Sequence, residues 1–284
     1  MTASQTGPVD PAAIVADLEA RARRFETPCG TGSLIWHVWG EGPPVLLAHG
    51  SHGSWSHWIR TIDALATRRT VWVPDLPGFG ASAMPPGEGH DIYSAVLAEG
   101  LWTLVREPAD LVGFSFGGVA LAWLAAQHPD IARRLIVVGS GGLGTPVGEI
   151  MLGRVRGLEG AEREAANRAN LLGLMLHAPE SVDALAIHLQ ELNGFRGRLR
   201  ASPYVLPDRL LEVLSRVPMQ VDAIWGEHDR PHPVPARQEA AIRSVRPELD
   251  FRVIEGAGHW VMYERAEAFN ATLIEMLDTP LRED

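Results

Sequence analysis

Residues 113–117 read GFSFG, a serine with glycine two places to either side. The stretch before it, ADLV, is mostly apolar, and the stretch after it, GGVALAWLAAQH, is rich in alanine. That context predicts a strand over 109–115 turning sharply into a helix over 116–128. A serine on such a turn needs small neighbours, because larger side chains would collide there. Its hydroxyl then projects from the sheet, where the helix N-terminus favours negative charge. Ser115 is therefore the candidate nucleophile, against the plainer reading of a glycine-rich turn carrying an inert serine.

A serine hydroxyl is a weak nucleophile until a positioned base takes its proton. Among the eleven histidines, His259 in EGAGHWVMYE has the best setting. It follows an expected strand, comes after glycines that free the loop, and precedes the last helix. His128 lies at a helix end, and His177 and His188 fall in a helical region further from any strand. The acid that orients the imidazole is expected between serine and histidine in chain order. Asp229 in IWGEHDRPHP directly follows a strand and opens a proline-rich loop. Asp222 begins that same strand, which puts it at the wrong end of the sheet, and Glu227 is the local competitor.

A second cluster, AHGSHGSWSHW over 48–58, brings His49, His52 and His57 within nine positions. Three imidazoles so close invite a metal-site reading. The spacing of His49 and His52 does not suit a two-histidine helical site, and no Asp, Glu or Cys lies between 45 and 60 to complete a shell. The sequence therefore implies no metal and no cofactor. In DLPGFGAS (75–82), Asp75 is expected to hold a structured turn rather than to take part in catalysis.

Composition narrows the chemistry further. All 25 basic residues are arginine, so mechanisms that need a lysine are excluded: Schiff bases, pyridoxal phosphate attachment and Walker-type phosphate loops. A formal charge of −10 argues against nucleic acid or an anionic membrane surface as partner. The single cysteine, Cys29, can form neither an internal disulfide nor a cysteine metal cluster. No basic start followed by an apolar run is seen at the N-terminus, and no stretch approaches the ~18 apolar residues of a membrane helix. A cytoplasmic location is the expectation.

The elements that must position these residues alternate. Strands are expected at 33–40, 45–50, 70–78, 109–115, 133–140, 220–229 and 249–259. Helices are expected at 9–24, 56–68, 91–106, 116–128, 234–245 and 260–277. Strand–helix alternation at this spacing gives an α/β protein with a mostly parallel sheet flanked by helices. Between 145 and 217 only helical patterns occur. The expected organisation is an N-terminal extension with a short helix (1–29), the first part of the core (30–144), an inserted helical cap (145–217) and the second part of the core (218–284).

Four blocks carry a resemblance: LLAHGS, VPDLPGFGAS, VGFSFGG with WGEHD, and GAGHW. Over residues 30–280 the chain resembles α/β-hydrolase-fold serine hydrolases with a helical cap. The resemblance implies Ser115 as nucleophile, His259 as base and Asp229 as orienting acid. It favours serine chemistry over the related dehalogenases and epoxide hydrolases, which place aspartate at the nucleophile position. It also turns the histidine-rich loop into a backbone device. The oxyanion of an acyl intermediate would rest on the N–H of Phe116 and that of Ser51, with His52 as the alternative to Ser51, and Gly50 permits the close approach. His52, Phe114, Trp260 and Arg196 are expected around the substrate, with Met175 and Leu176 as further apolar lining.

Two enzyme readings follow. One is a carboxylesterase acting on small or medium esters. The other is a C–C bond hydrolase of ring-fission products in aromatic degradation. The HGS loop and Gly-His-Trp at 258–260 resemble the second group. That group often carries asparagine before the nucleophile, where this chain has Phe114, and uses a cap arginine, for which Arg196, Arg198 and Arg200 are available. The esterase reading is ranked first on Phe114. A hydrolase-fold ligand receptor, an acyltransferase and a perhydrolase complete the alternatives. The expected partner is a small-molecule acyl substrate, and a homo-oligomer is compatible with the sequence.

Overall fold

Short apolar runs become the inner strands of one sheet in the computed structural model, which describes residues 10–194 and 196–282. The strands are β1 (Arg23–Cys29), β2 (Gly32–Trp39), β3 (Pro44–Ala48), β4 (Thr70–Asp75), β5 (Ala109–Phe114), β6 (Ala132–Val138), β7 (Gln220–Gly226) and β8 (Phe251–Ile254). Their spatial order is β1-β2-β4-β3-β5-β6-β7-β8. The β1–β2 and β2–β4 pairs are antiparallel, and all others are parallel.

Every residue of β3 and β5 is buried, as a strand covered on both faces requires. Successive side chains alternate between two cores. Leu46, Leu111 and Leu135 face the helices His90–Leu104 and Phe116–Gln127. Leu47, Val112 and Ile136 face Ile62–Ala66 and Ala266–Asp278 on the other side. At the far edge of β5, buried Asp110 is bonded by Arg69 at 2.8 Å and by Arg133 at 2.5 Å, so its charge is paired where it cannot be hydrated.

The strand order reverses between β3 and β5. In parallel sheets the crevice beyond the carboxyl ends at such a reversal is where ligands bind. The loop after β3, the turn after β5 and the loops after β7 and β8 all open on that edge.

Between β6 and β7 the described residues are helical or irregular, with longer helices at Gly160–Asn170 and Ala184–Gly194 and a π turn at Leu171–Met175. Three features differ from the sequence reading, the first being that the helix expected over 260–277 divides into Val261–Glu264 and Ala266–Asp278. Arg23–Cys29, assigned there to an N-terminal extension, is an edge strand whose residues are mostly exposed, so it lacks the apolar run that marks an inner strand. The single helix expected over 56–68 divides into a 3₁₀ turn at Trp55–Trp58 and a short helix at Ile62–Ala66. Among the described residues no helix is long and apolar enough to cross a membrane.

Candidate active site

Ser115 stands between β5 and the helix Phe116–Gln127 with φ 52° and ψ −118°. A non-glycine residue in such a conformation stores about 1–3 kcal/mol and persists only where its surroundings fix it. Its own N–H donates to Val138 O at 2.8 Å, and its carbonyl accepts Gly118 N–H at 3.1 Å. The flanking glycines let the backbones close around it. A Cβ on Gly113 would sit 2.5 Å from Gly118 Cα, and one on Gly117 would sit 2.4 Å from Ala48 O and 2.6 Å from His49 O. Gly117→Ala therefore pushes a methyl group against backbone that cannot rotate away. It is expected to destabilise the protein by about 3 kcal/mol or more, read as a large fall in Tm. Gly194→Ala, where a Cβ meets nothing within 4 Å, is expected to leave Tm nearly unchanged.

The structure brings Ser115, His259 and Asp229 together. Ser115 Oγ lies 3.2 Å from His259 Nε2, and His259 Nδ1 lies 2.8 Å from Asp229 Oδ2. A carboxylate only accepts, so Nδ1 carries the proton and Nε2 is free to accept from the serine. Asp229 is fully buried and His259 nearly so. Burial alone pushes the Asp229 carboxyl up, but the charge and hydrogen bonds of His259 and His232 outweigh it and hold it well below the usual carboxylate range. The two competing acids are elsewhere. Asp222 is bonded to Arg282 at 2.6 Å at the opposite end of β7. Glu227 is exposed and accepts Gly256 N–H at 2.9 Å.

His232 was not anticipated from sequence. Its backbone N–H donates to Asp229 Oδ1 at 2.9 Å, and its Nδ1–H reaches the same oxygen at 3.1 Å. Asp229 thus has one oxygen for each imidazole. The only sequence signal was an Asp-x-x-His spacing, which by itself carries little.

The histidine-rich loop lies against the nucleophile turn. A Cβ on Gly50 would be 3.2 Å from Ser115 Cβ and 3.0 Å from the Phe114 ring, so the backbone passes close to the serine and a side chain there would crowd it. Ser51 follows and is partly exposed. Across from it, Phe116 opens its helix, and the first N–H groups of a helix have no partner within it. The three imidazoles have separate settings. His49 Nε2 accepts Leu76 N–H at 2.9 Å, so its Nδ1–H donates to Gly50 O at 2.7 Å. Burial lowers its pKa against the opposing pull of Asp75, in keeping with a neutral ring. His57 is buried between Phe114 and Trp260, and burial holds it well below its usual pKa. His52 is exposed, φ 53°, and a Cβ placed on Gly197, in the segment between β6 and β7, would lie 3.3 Å from its ring. Asp75 accepts Trp55 N–H at 2.9 Å and Ala81 N–H at 2.8 Å, pinning the turns around it.

The remaining expected pocket residues divide into buried and exposed ones. Phe114 and Trp260 are each 1% exposed. The Phe114 ring is centred 4.9 Å from that of His259, and Trp260 stacks on Tyr263 at 4.2 Å while donating to His57 O at 2.9 Å. Both are buried aromatic side chains held in place by their neighbours. Arg196 is exposed, and its charge acts on buried Asp75. Arg198 donates to Ser82 O, and Arg200 donates to Ser202 Oγ at 3.3 Å, so both are engaged with the protein itself. Leu176 is buried, and Met175 O accepts Trp260 N–H at 2.7 Å. A cavity of about 630 Å³ also opens to one side, lined by Ile150, Met151, Leu152, Asn170, Leu172 and Arg230, with neither Ser115 nor His259 in its wall.

Comparison with known proteins supplies an independent view. The Alpha/beta hydrolase family matches residues 45–272. A 2-hydroxy-6-oxononadienedioate/2-hydroxy-6-oxononatrienedioate hydrolase of Paraburkholderia phymatum is 30% identical over 258 residues, covering 82% of this chain and 86% of that protein. A 2-hydroxymuconate semialdehyde hydrolase of Pseudomonas sp. strain CF600 is 30% identical over 261 residues, covering 85% and 89%. Among solved structures, naproxen esterase (carboxylesterase NP) of Bacillus subtilis superposes with a TM-score of 0.74 at 16% identity, covering 94% of this chain and 97% of that one.

Proposed function

The chain belongs to the Alpha/beta hydrolase family, and from that premise we propose that it is a serine hydrolase cleaving a small or medium carboxylic ester. The observation that carries this reading is the continuous line from Asp229 Oδ2 through His259 to Ser115 Oγ, with spacings of 2.8 and 3.2 Å. Ser115 Oγ attacks the ester carbonyl as His259 Nε2 takes its proton. Asp229 holds the resulting imidazolium, and the N–H groups of Phe116 and Ser51 receive the oxyanion. His259 then protonates the departing alkoxide, leaving an acyl group on Ser115. Water, deprotonated by His259, attacks that acyl group and releases the acid. The division of labour follows the chain: residues 30–144 and 218–284 supply this machinery, and 145–217 cover it.

Phe114 and Trp260 support an apolar acyl or alkyl group, because nothing polar on that wall would reward a charged substrate. His52 and Arg196, where the loop meets the cap, are the polar residues proposed to touch the substrate. A second reading is favoured by a specific observation. Relatives aligned over most of their length are named as hydrolases of a dienedioate and of a muconate semialdehyde, and Gly-His-Trp at 258–260 fits that company. In that reading the same serine and histidine act on a ketone and the leaving group is carbon.

A panel of p-nitrophenyl esters from acetate to octanoate, run beside a coloured ring-fission dienoate, separates the two. Ester turnover with a kcat/KM at least about tenfold above that for the dienoate is the expected result, since one well-matched contact is worth that much. The reverse order overturns ester cleavage in favour of C–C hydrolysis. Turnover of neither, with a small ligand raising Tm, would point to a receptor.

A further inference from the structure

Five residues after His259 stands Glu264, 8% exposed in the short helix Val261–Glu264. Its carboxylate has no cationic partner among the described residues. It is satisfied by backbone instead: Oε2 accepts Gly258 N–H at 2.6 Å, Oε1 accepts Ala178 N–H at 2.7 Å, and both oxygens lie 3.0 Å from His177 N. Gly258 belongs to the loop carrying His259, whereas His177 and Ala178 belong to the segment between β6 and β7. On the other side of His259, Trp260 N–H donates to Met175 O at 2.7 Å. Both neighbours of the histidine are thus fastened to residues 175–178. The contact is close enough that a Cβ on Gly258 would lie 2.7 Å from His177 N and 3.0 Å from Leu176 C.

The strap itself is braced. It follows the π turn at Leu171–Met175, a form of helix enriched at functional sites, and Leu176 N–H closes that turn on Leu171 O at 2.8 Å. The same short helix is moored a second time, through Tyr263 Oη–H to Asp183 at 2.5 Å, with Arg60 bonding Asp183 at 2.6 Å. A buried carboxylate is costly unless fully hydrogen-bonded, and a tie between two loops could use a neutral acceptor. A carboxylate, however, can take several N–H donors at once.

We propose that Glu264 is a positioning residue, locking the cap strap 175–178 and the His259 loop into one unit so that placement of the cap sets the alignment of His259 Nε2 with Ser115. This rests on the reading of Ser115 and His259 as the reacting pair. A substrate held under the cap then reports its presence to the base through Gly258 and Trp260, not through contact with Glu264.

Glu264→Gln tests it in the full-length protein. The amide keeps the shape but offers one oxygen, and its NH₂ must face a backbone N–H. The rate of Ser115 labelling by a fluorophosphonate is expected to fall about tenfold or more, with kcat falling alongside and KM moving less than about threefold, as small misplacements of a reacting group produce. Asp183→Asn weakens the other mooring, because its NH₂ cannot accept from Arg60, without touching residues 258–260. Compared at equal folded fraction, it should change the labelling rate less than about threefold. Equal labelling of Glu264→Gln and wild type overturns the proposal, as does an equal loss in Asp183→Asn. Should Glu264→Gln not fold, amide exchange on the wild type decides. Gly258, His177 and Ala178 are expected to open at a common rate, and independent opening overturns the clamp. Failure of the wild type itself to label would instead strike the serine-hydrolase reading, while the exchange measurement still tests the clamp.

Discussion

Ser115→Ala will lose turnover on the order of 10⁴- to 10⁶-fold, the range seen when a nucleophile is removed from a working triad, while folding as the wild type does. The two halves of that expectation have separate grounds. Activity falls because the serine oxygen lies 3.2 Å from His259 Nε2, and among the described residues no other hydroxyl is bonded to that nitrogen. Folding survives because the turn is fixed by the backbone bonds to Val138 and Gly118 and by the absent side chains of Gly113 and Gly117, none of which involves Oγ. Alanine also occupies φ 52° with the same strain as serine. Residual turnover should come from the oxyanion donors and binding alone. The check is kcat/KM on the best ester together with far-UV circular dichroism and Tm. A variant that retains turnover within about tenfold of wild type would remove Ser115 from the nucleophile role.

The sequence exposed the residues proposed to react more readily than the groups packed around them. Ser115 sits in a motif whose spacing is dictated by backbone collision, so its glycines are visible in one dimension. Asp229 and His259 each lie in the loop after a recognisable strand, and parallel strands place such loops on one edge of the sheet. Residues whose importance arises only in three dimensions left no comparable trace. Glu264 looks like the polar face of a final helix, and only the strap at 175–178, more than eighty residues earlier in the chain, makes it a buried clamp. The histidines at 49, 52 and 57 are close in sequence, yet one braces a turn, one is exposed and one is packed among aromatics. β1 was missed because an edge strand buries little and so carries no hydrophobic period.

Asp229→Asn is expected to lower kcat by about 10⁴-fold, and the surroundings of Asp229 dictate why. An aspartate offers an acceptor to each imidazole, but asparagine has one oxygen and one NH₂. At the Oδ1 position two donors converge, the His232 N–H at 2.9 Å and His232 Nδ1–H at 3.1 Å, so the amide oxygen settles there. The NH₂ is then left where Oδ2 was, facing His259 Nδ1. A donor at that place requires Nδ1 to accept, which moves the imidazole proton to Nε2 and takes away the lone pair that Ser115 needs. Glu227→Gln, whose carboxylate is exposed and bonded to Gly256, should alter kcat less than about threefold. Stability carries a second signature. The folded-state carboxyl of Asp229 is held below its ordinary value despite burial, by His259 and His232. Its ionised form therefore stabilises the fold above the unfolded pKa of about 3.9, and that contribution drains away as pH falls through the lower folded value. Asp229→Asn should accordingly unfold at a lower denaturant concentration than wild type at pH 7, with the gap narrowing below about pH 4. Near-wild-type kcat in a folded Asp229→Asn protein would show that the orienting acid lies elsewhere and that the tautomer of His259 is not set by this carboxylate.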